Sequence, residues 1–154
     1  MSAHVNLGDL VAEPEPSDPP GYQNRAVRLG PLLGAERLGA TIYELPEGQS
    51  TCPYHYEYGR EEWLFVLEGN PVLRDPGGEH RLEPGDLVLF PEGPEGAHKL
   101  TNTDPGTARI MIMSNIDDPS VGFYPDSAKI GVWPPGLIFR EADAVDYYVG
   151  EADT

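Results

Sequence analysis

Glycine and proline set the strongest limit on how this chain folds, because its 154 residues include 18 Gly and 17 Pro. Proline interrupts helices and glycine weakens them, so this density favours short strands joined by turns. A helical bundle is therefore excluded. The length fits one domain with a buried core better than two domains.

Turn sequences divide the middle of the chain into short apolar segments. The first predicted strand covers residues 37–45, and residues 62–69 form a second that is apolar on both alternating faces. The sequence Asp-Pro-Gly-Gly at residues 75–78 predicts a hairpin that joins strands at residues 72–74 and 80–82. Further strands are predicted at residues 87–90, 98–103 and 109–114. Short strands at this spacing predict an antiparallel, all-β sandwich or barrel.

The two ends of the chain differ from its middle. Residues 1–21 are rich in proline and acidic side chains and have little to bury, so we expect a flexible or arm-like segment. Residues 22–114 are predicted to form the barrel. Residues 115–154 carry aromatic side chains at intervals in irregular sequence, which predicts a C-terminal segment that packs on the barrel. A short helix is expected near residues 141–148.

Charge and hydropathy limit the partners that this chain can bind. The net charge of −16 disfavours nucleic acid and anionic membranes, since both attract basic surfaces. No apolar run approaches the roughly 20 residues of a membrane helix, and the first residues lack a secretory pattern. We therefore expect a cytoplasmic protein that binds neither nucleic acid nor membrane. A single cysteine, Cys52, excludes an intrachain disulfide and a cysteine-based zinc site.

Two of the four histidines have neighbours that indicate chemistry. In the extended segment 53–58, alternation places His55 and Glu57 on one face and three tyrosines on the other. Glu62 follows a predicted turn and returns to the same face, and His98 opens a later strand. Two imidazoles with one or two carboxylates suit a divalent transition metal. Taken singly, each histidine is more often hydrogen-bonded packing, and each glutamate is more often solvated.

A first motif runs from Gly48 to Gly69. His55 follows Gly48, Glu57 comes two residues after His55, and Glu62 lies between Glu57 and Gly69. This order resembles the first motif of the cupin superfamily, which reads Gly, His-x-His, Glu, Gly. Glu57 stands in the place of the second histidine, and one extra residue separates Gly48 from His55.

A second motif begins at Gly85. Pro91 and Gly93 have the spacing of the second cupin motif, which reads Gly, Pro-x-Gly, His, Asn. His98 comes two residues later than in that motif, and Asn102 then follows it at the expected distance. Both motifs in this order make the chain similar to small single-domain bacterial cupins of unassigned activity.

The resemblance covers residues 37–114 and implies a cupin-like double-stranded β-helix, an all-β jelly-roll barrel with an N-terminal arm and a C-terminal tail. It also implies a divalent metal ion inside the barrel, bound by His55, Glu57, Glu62 and His98. Two converging carboxylates repel each other unless a proton or a cation lies between them, which favours an occupied site. The harder carboxylate ligands favour manganese, iron or zinc over copper(I).

The resemblance leaves the activity open between two classes. One is a metal-dependent enzyme that acts on a small polar molecule as an oxygenase, an isomerase or epimerase, or a lyase or hydrolase. The other is a non-catalytic module that binds or senses a small molecule, and a cupin without metal is a third alternative. Glu61 and Tyr43 are candidate acid or base groups. Arg37, Arg60 and Arg109 are candidate anion-binding residues.

The strand at residues 62–69 has a second apolar face that needs a cover. Trp63, Phe65 and Leu67 form this face, and cupins commonly bury it against a partner. We therefore expect a homodimer, with the N-terminal segment as the competing cover. Cys52 is expected to be a small buried residue, because no basic neighbour favours its thiolate.

Overall fold

The structure is a computed structural model that describes residues 3–151, so the expectations for residues 1, 2 and 152–154 lie outside the described residues. The described part contains one short helix, α1 (Leu29–Leu33), and a series of short strands. The strands are β1 (Glu13–Pro14), β2 (Arg25–Arg28), β3 (Leu38–Pro46), β4 (Tyr56–Tyr58), β5 (Glu62–Glu68), β6 (Val72–Asp75), β7 (Gly78–Arg81), β8 (Leu87–Phe90), β9 (Lys99–Thr101), β10 (Thr107–Asn115), β11 (Ser120–Tyr124), β12 (Lys129–Trp133) and β13 (Leu137–Arg140).

The strands form three antiparallel sheets. A six-stranded sheet has the order β1-β2-β3-β10-β5-β8, a four-stranded sheet the order β13-β12-β11-β4, and a three-stranded sheet the order β7-β6-β9. Two isolated β-bridges pair Ser50 with Thr101 and His55 with His98. They connect the segment that precedes β4 to β9 and to the residue just before β9. The predicted all-β architecture is confirmed.

The apolar core lies between the six-stranded and the three-stranded sheets. Side chains at alternate positions of β5, Leu64 and Val66, are fully buried, as alternation along a strand requires. They pack with residues of β3, β10, β6 and β9 in one cluster. The other members of this cluster are Leu45, Leu73, Leu82, Phe90, Leu100, Ala108 and Ile110. Each fully buried aliphatic side chain contributes about 1.5–3 kcal/mol to folding.

Both terminal segments attach to sheets of the barrel. On the N-terminal side, β1 and β2 extend the six-stranded sheet beyond β3. The Arg109 guanidinium on β10 donates to the carbonyl of Leu7 at 2.6 Å and to that of Leu10 at 3.4 Å, which fixes the N-terminal segment against the sheet. On the C-terminal side, β11 pairs with β4 and carries β12 and β13 outward.

The helix expected near residues 141–148 does not form. Only a single 3-10 turn, Glu141–Asp143, lies there. The apolar side chains that follow it, Val145, Tyr147 and Tyr148, are 72–87% exposed, so little of their surface packs against the barrel. An isolated short helix without such packing is unstable in water, which accounts for the difference.

Among residues 3–151, no helix has both the length and the apolar character that crossing a membrane requires.

Candidate metal centre

A pair of backbone hydrogen bonds brings two distant histidines together. The amide of His55 donates to the carbonyl of His98 at 3.2 Å, and the amide of His98 donates to the carbonyl of His55 at 2.8 Å. Residues paired in this way on antiparallel chains project their side chains to the same face. The two imidazole centroids therefore lie only 4.8 Å apart.

His98 is held in one orientation by its ring contacts and by one hydrogen bond. Its ring stacks on Phe90 with centroids 3.7 Å apart, and its Nδ1 lies 2.9 Å from the carbonyl of Gly96. A carbonyl only accepts hydrogen bonds, so Nδ1 carries the proton and Nε2 presents its lone pair. That Nε2 atom is buried and has no hydrogen-bond partner.

His55 has a similar arrangement on the opposite side of the site. Its Nδ1 lies 3.1 Å from the carbonyl of Pro53 and 3.5 Å from Sγ of Cys52, and its ring stacks at 5.8 Å on Tyr124 from β11. Donation from Nδ1 to a backbone carbonyl again leaves Nε2 free to bind a ligand. This is the outer hydrogen bond that orients histidine ligands in metal proteins.

Glu62 supplies the carboxylate that completes the group. It is the first residue of β5 and pairs with Phe90 on β8. Its side chain points inward, toward the His98 imidazole that stacks on Phe90. Its Oε2 lies 3.4 Å from Nε2 of His98. One ligand atom from each of His55, Glu62 and His98 lies within 4.8 Å of the others.

Glu57 does not belong to this group. It lies in the middle of β4, and alternation places it on the same side as His55 and opposite Tyr56 and Tyr58. Its Oε2 is nevertheless 3.6 Å from Nε of Arg60, and this oxygen and this nitrogen are both buried without a hydrogen-bond partner. The structure thus brings three of the four predicted ligands together and places the fourth beside them, facing an arginine.

Burial and neighbouring charges control the protonation of the group. Burial and the charge of His55 lower the pKa of His98 to about 3, so His98 is neutral. Burial and Glu57 raise the pKa of Glu62 to about 7. Burial alone would lower the pKa of His55, but Cys52, Glu62 and Glu57 together raise it to about 9. Without an ion, the group retains protons at neutral pH that a metal would displace.

Comparison with known proteins decides the family. Residues 41–114 match the family model Cupin_2, described as a cupin domain, and this stretch contains all four predicted ligands. Residues 41–114 are therefore a cupin domain. No curated protein matches its sequence.

Solved structures confirm the jelly-roll fold of this cupin. It is similar to a provisionally assigned sugar phosphate isomerase of Acidithiobacillus ferrooxidans, with 23% identity, 91% of each chain covered and a TM-score of 0.82. It is also similar to a sugar phosphate isomerase from a cupin superfamily of Silicibacter pomeroyi, with 22% identity, 94% of this chain and 98% of that chain covered, and a TM-score of 0.81. The polyketide cyclase RemF of Streptomyces resistomycificus follows with 26% identity, 78% and 84% covered, and a TM-score of 0.63.

The late position of His98 in the second cupin motif has a local structural cause. A 3-10 turn, Pro94–Gly96, takes up the two additional residues before the bridge to His55. A side chain at Gly96 would place its Cβ 1.8 Å from the carbonyl oxygen of Pro91, so only glycine fits there. The same glycine offers the carbonyl that orients His98.

Asn102, the last residue of the second motif, has a structural role. Its side chain is 1% exposed and donates to the carbonyls of Leu45 and Gly106 at 2.9 and 3.0 Å. Its Oδ1 accepts from the amide of Asp104. Asn102 therefore fixes the turn between β9 and β10 and does not enter the metal centre.

A cavity of about 420 Å³ opens beside the metal centre. Glu62 lies in its wall together with Tyr43, Thr41 and Ser114, and two arginines, Arg28 and Arg60, complete the polar lining. The remaining walls come mainly from α1, the start of β3 and the end of β10. This size falls in the range of small-molecule sites.

The other candidate residues occupy different places. Tyr43 lines the cavity, and burial raises its pKa to about 12, so its hydroxyl stays protonated. Glu61 is exposed and lies on the outer side of the sheet. Arg109 lies 3.6 Å from Glu44 and binds the N-terminal segment, and Arg37 is exposed away from the cavity.

Two further residues of the site carry no sequence signal. Arg28 ends β2 in a segment without a motif, and Tyr124 reaches His55 from the C-terminal segment. Cys52, expected to be a small buried residue, is only partly buried and lies behind the His55 ring.

Proposed function

We propose that this cupin binds one divalent transition-metal ion through His55, Glu62 and His98, and that it acts as a metal-dependent enzyme on a small polar molecule. Manganese, iron and zinc suit this mixture of imidazole and carboxylate ligands. Such an ion polarises a substrate oxygen as a Lewis acid.

One observation carries the metal proposal. The lone pair of His98 Nε2 faces Oε2 of Glu62 at 3.4 Å in a buried position, and this nitrogen has no hydrogen-bond partner. Two electron-rich atoms at this distance repel each other unless a proton or a cation lies between them. The hydrogen bonds of both Nδ1 atoms to backbone carbonyls support the cation, because they turn the free Nε2 atoms toward the site.

The cavity supports an enzyme that acts on a small molecule. Glu62 belongs both to the metal group and to the cavity wall, so a molecule in the cavity reaches the ion from that side. Three protein ligands leave coordination positions for substrate or water. The protonated hydroxyl of Tyr43 is placed to donate a hydrogen bond to a substrate oxygen.

Isomerisation is the reaction type that we propose first. Two solved structures with the same fold over nearly the whole chain carry the name sugar phosphate isomerase, one of them provisionally. An isomerase of this kind moves a proton between carbons next to a polarised oxygen, which suits a Lewis acid beside a hydrogen-bond donor. Oxygenase and lyase activities are the other reaction types of the proposal.

One feature favours a binding or sensing module as the second candidate. Among the described residues that line the cavity, Tyr43 and Glu62 are the only side chains of the types that commonly act as general acid or base. With its raised pKa, Tyr43 stays protonated and is not available as a base, and Glu62 would be occupied as a ligand. Without a general base, the protein would bind its ligand and not convert it.

Metal analysis of the purified protein tests the proposal. We expect one equivalent of metal in the wild type and in the matched control His80→Ala, whose ring is exposed and pairs with Asp75. The variant His98→Ala should lose it. Wild-type protein that takes up no manganese, iron or zinc would leave the cupin without a metal and refute the proposal.

A second experiment separates the two candidate functions. The metal-loaded protein is incubated in heavy water with aldose and ketose phosphates and followed by proton NMR. Metal-dependent exchange of a carbon-bound proton beside the carbonyl indicates an isomerase. Thermal stabilisation by one of these compounds, lost with chelator and without any exchange or turnover, indicates the binding module.

We also propose that a second copy of the chain covers the outer face of the six-stranded sheet. This outer apolar patch consists of two cross-strand rows, Met113–Trp63–Leu89 and Met111–Phe65–Leu87. Trp63, Leu87 and Leu89 remain 42–54% exposed, although the N-terminal segment is bound to the same sheet. A contiguous apolar patch with a central tryptophan is typical of a protein interface.

A further inference from the structure

The cavity beside the metal centre concentrates positive charge in a strongly acidic protein. Only 10 of the 154 residues are Lys or Arg, against 26 Asp and Glu, yet Arg28 and Arg60 both line this cavity. We propose that these two arginines form a subsite for the anionic group, a phosphate or a carboxylate, of the small molecule whose oxygen atoms reach Glu62. This inference deepens the proposed function, but binding of the anion by the arginines does not itself require the metal.

The environment of Arg60 leaves its donors available. Its Nε is buried and has no hydrogen-bond partner. The nearest carboxylate atoms are Oε2 of Glu57, 3.6 Å from Nε, and Oδ1 of Asp118, 3.9 Å from Nη2. Both distances exceed those of hydrogen bonds, so the two carboxylates position the guanidinium without saturating it. A guanidinium in a cavity wall that is near carboxylates but lacks close hydrogen bonds to them is suited to bind an incoming oxyanion.

Arg28 is free of competing carboxylates in residues 3–151. Arg60, Arg74, Arg81 and Arg109 each have a carboxylate within 4.0 Å in this part of the chain, whereas Arg28 has none. Arg25, Arg37 and Arg140 have none there either, but they lie outside the cavity lining. Arg28 is the last residue of β2 and pairs in register with Thr41 on β3, another residue of the cavity wall. Arg28 is exposed at the end of its strand, and its place in the cavity wall distinguishes it from the other unpaired arginines. Its guanidinium is therefore available to an anion that enters the cavity.

Neutral groups of the same cavity complete a site for an oxyanion. Thr41 and Ser114 offer hydroxyl groups, and Tyr43 offers a protonated phenol close to the Glu62 end. The apolar side chains Ile112 and Ile116 form part of the remaining wall. Apolar walls reduce screening by water and strengthen the attraction between a guanidinium and an anion. The molecule that fits carries an anionic group for the arginines and further oxygen atoms for the hydroxyl groups of the wall.

Titration with inorganic phosphate tests this subsite directly. Binding is followed by NMR chemical shifts at low ionic strength, for metal-free protein and for zinc-loaded protein. Zinc is used in place of manganese because it is diamagnetic. The variant Arg28→Gln should bind phosphate roughly tenfold more weakly or worse, the size expected for loss of a charge-assisted hydrogen bond. The matched control is Arg25→Gln, which removes the same charge from the same strand at an exposed position outside the cavity lining.

The two variants decide the inference independently of the metal. If Arg28→Gln binds phosphate as tightly as Arg25→Gln, the subsite is refuted even when the metal binds as proposed. If Arg28→Gln alone loses phosphate while the wild type takes up no metal, the subsite stands and the proposed function fails. Arg60→Lys retains the positive charge but loses the planar guanidinium. Its affinity for phosphate is therefore expected to lie between those of the wild type and Arg28→Gln.

Three related sugars identify the anionic group. Glucose 6-phosphate and glucuronate carry a phosphate and a carboxylate on a similar body, and glucose carries neither. Stronger binding of glucose 6-phosphate assigns a phosphate subsite, and stronger binding of glucuronate assigns a carboxylate subsite. Equal binding of all three compounds would overturn the inference, because the arginines would then contribute nothing to recognition.

Discussion

The two faces of β5 differ in how the chain completes them. On the inner face, Glu62 joins the metal group, and Leu64 and Val66 are fully buried against the opposite sheet. On the outer face, Trp63 remains 42% exposed in the middle of the outer apolar patch. A single copy of the chain thus buries the inner face, whereas part of the apolar surface of the outer face stays exposed.

This contrast shows how one strand serves two purposes. Alternation allows every second residue to build the core and the candidate metal centre, while the residues between them are free for a different contact. A one-residue shift in register would exchange the two sets and destroy both. The pairing of Glu62 with Phe90 and Ser114 therefore fixes the site and the patch together.

The largest difference between the faces is expected in stability. Leu64→Ala removes a side chain with no exposed surface and should lower the free energy of unfolding by about 2–5 kcal/mol. Leu89→Ala, at a position 48% exposed on the outer face, should change it by about 0.5 kcal/mol in dilute monomeric protein. Urea unfolding followed by fluorescence measures both. Equal losses would show that the outer face is as well packed as the inner one.

The neighbouring glutamates at the start of β5 sharpen the contrast for metal binding. Glu62→Gln removes an anionic ligand and should weaken metal binding about 100-fold or more, because loss of even an outer hydrogen-bond partner of a ligand costs about 10–100-fold. Glu61→Gln changes the preceding residue, which lies on the outer side, and should leave the affinity unchanged. Isothermal titration calorimetry with manganese compares them.

Glu57→Gln in the same titration decides the role of Glu57. A small effect is expected, because its Oε2 faces Arg60 and lies outside the group of three ligand atoms. A loss as large as that of Glu62→Gln would restore Glu57 as the fourth ligand that the sequence motif implies.

The outer face is tested by self-association. Trp63→Ser removes the central aromatic residue of the patch and should weaken dimerisation by about 2 kcal/mol, or roughly 30-fold. Sedimentation equilibrium over a range of concentrations gives the dissociation constants of wild type and variant. Tyr147→Ser, at an exposed aromatic residue outside the patch, is the control. A wild type that stays monomeric at high concentration would contradict the proposed homodimer.

The last prediction concerns the pH dependence of metal binding at the inner face. Burial and Glu57 raise the pKa of Glu62 to about 7; burial lowers that of His55, but nearby negative groups raise it to about 9. Metal binding displaces these protons, so affinity should rise about tenfold per pH unit between pH 7 and 9, and more steeply below pH 7. Competition with a manganese-binding dye measures the profile. An affinity independent of pH would show that the ligands are already deprotonated.

The sequence predicts the barrel and the inner group because both depend on local patterns. Alternation in residues 62–69 identifies the buried strand. The two motifs imply His55, Glu57, Glu62 and His98 as ligands, and the structure groups three of these four. The orientation of Glu57 toward Arg60 was not predictable, because alternation fixes the face of a side chain and not its partner. Arg28 was missed for a related reason: nothing in its neighbouring sequence shows that β2 ends at a cavity.

The C-terminal segment illustrates a second limit. Its aromatic residues predict packing on the barrel, and Tyr124 does stack on His55. The sequence does not specify which aromatic residue reaches the site, because that depends on the register of β11 against β4. Contacts between segments so far apart along the chain follow from the tertiary fold and leave no periodic signal.

The bridge between His55 and His98 has a consequence for the lifetime of the folded state. It joins the strand that carries the C-terminal sheet to the strand that carries the three-stranded sheet. An ion held by both imidazoles and Glu62 would cross-link three separate parts of the backbone, and these must come apart when the barrel opens. Occupancy should therefore slow global unfolding and protect the amides of His55 and His98 against hydrogen exchange.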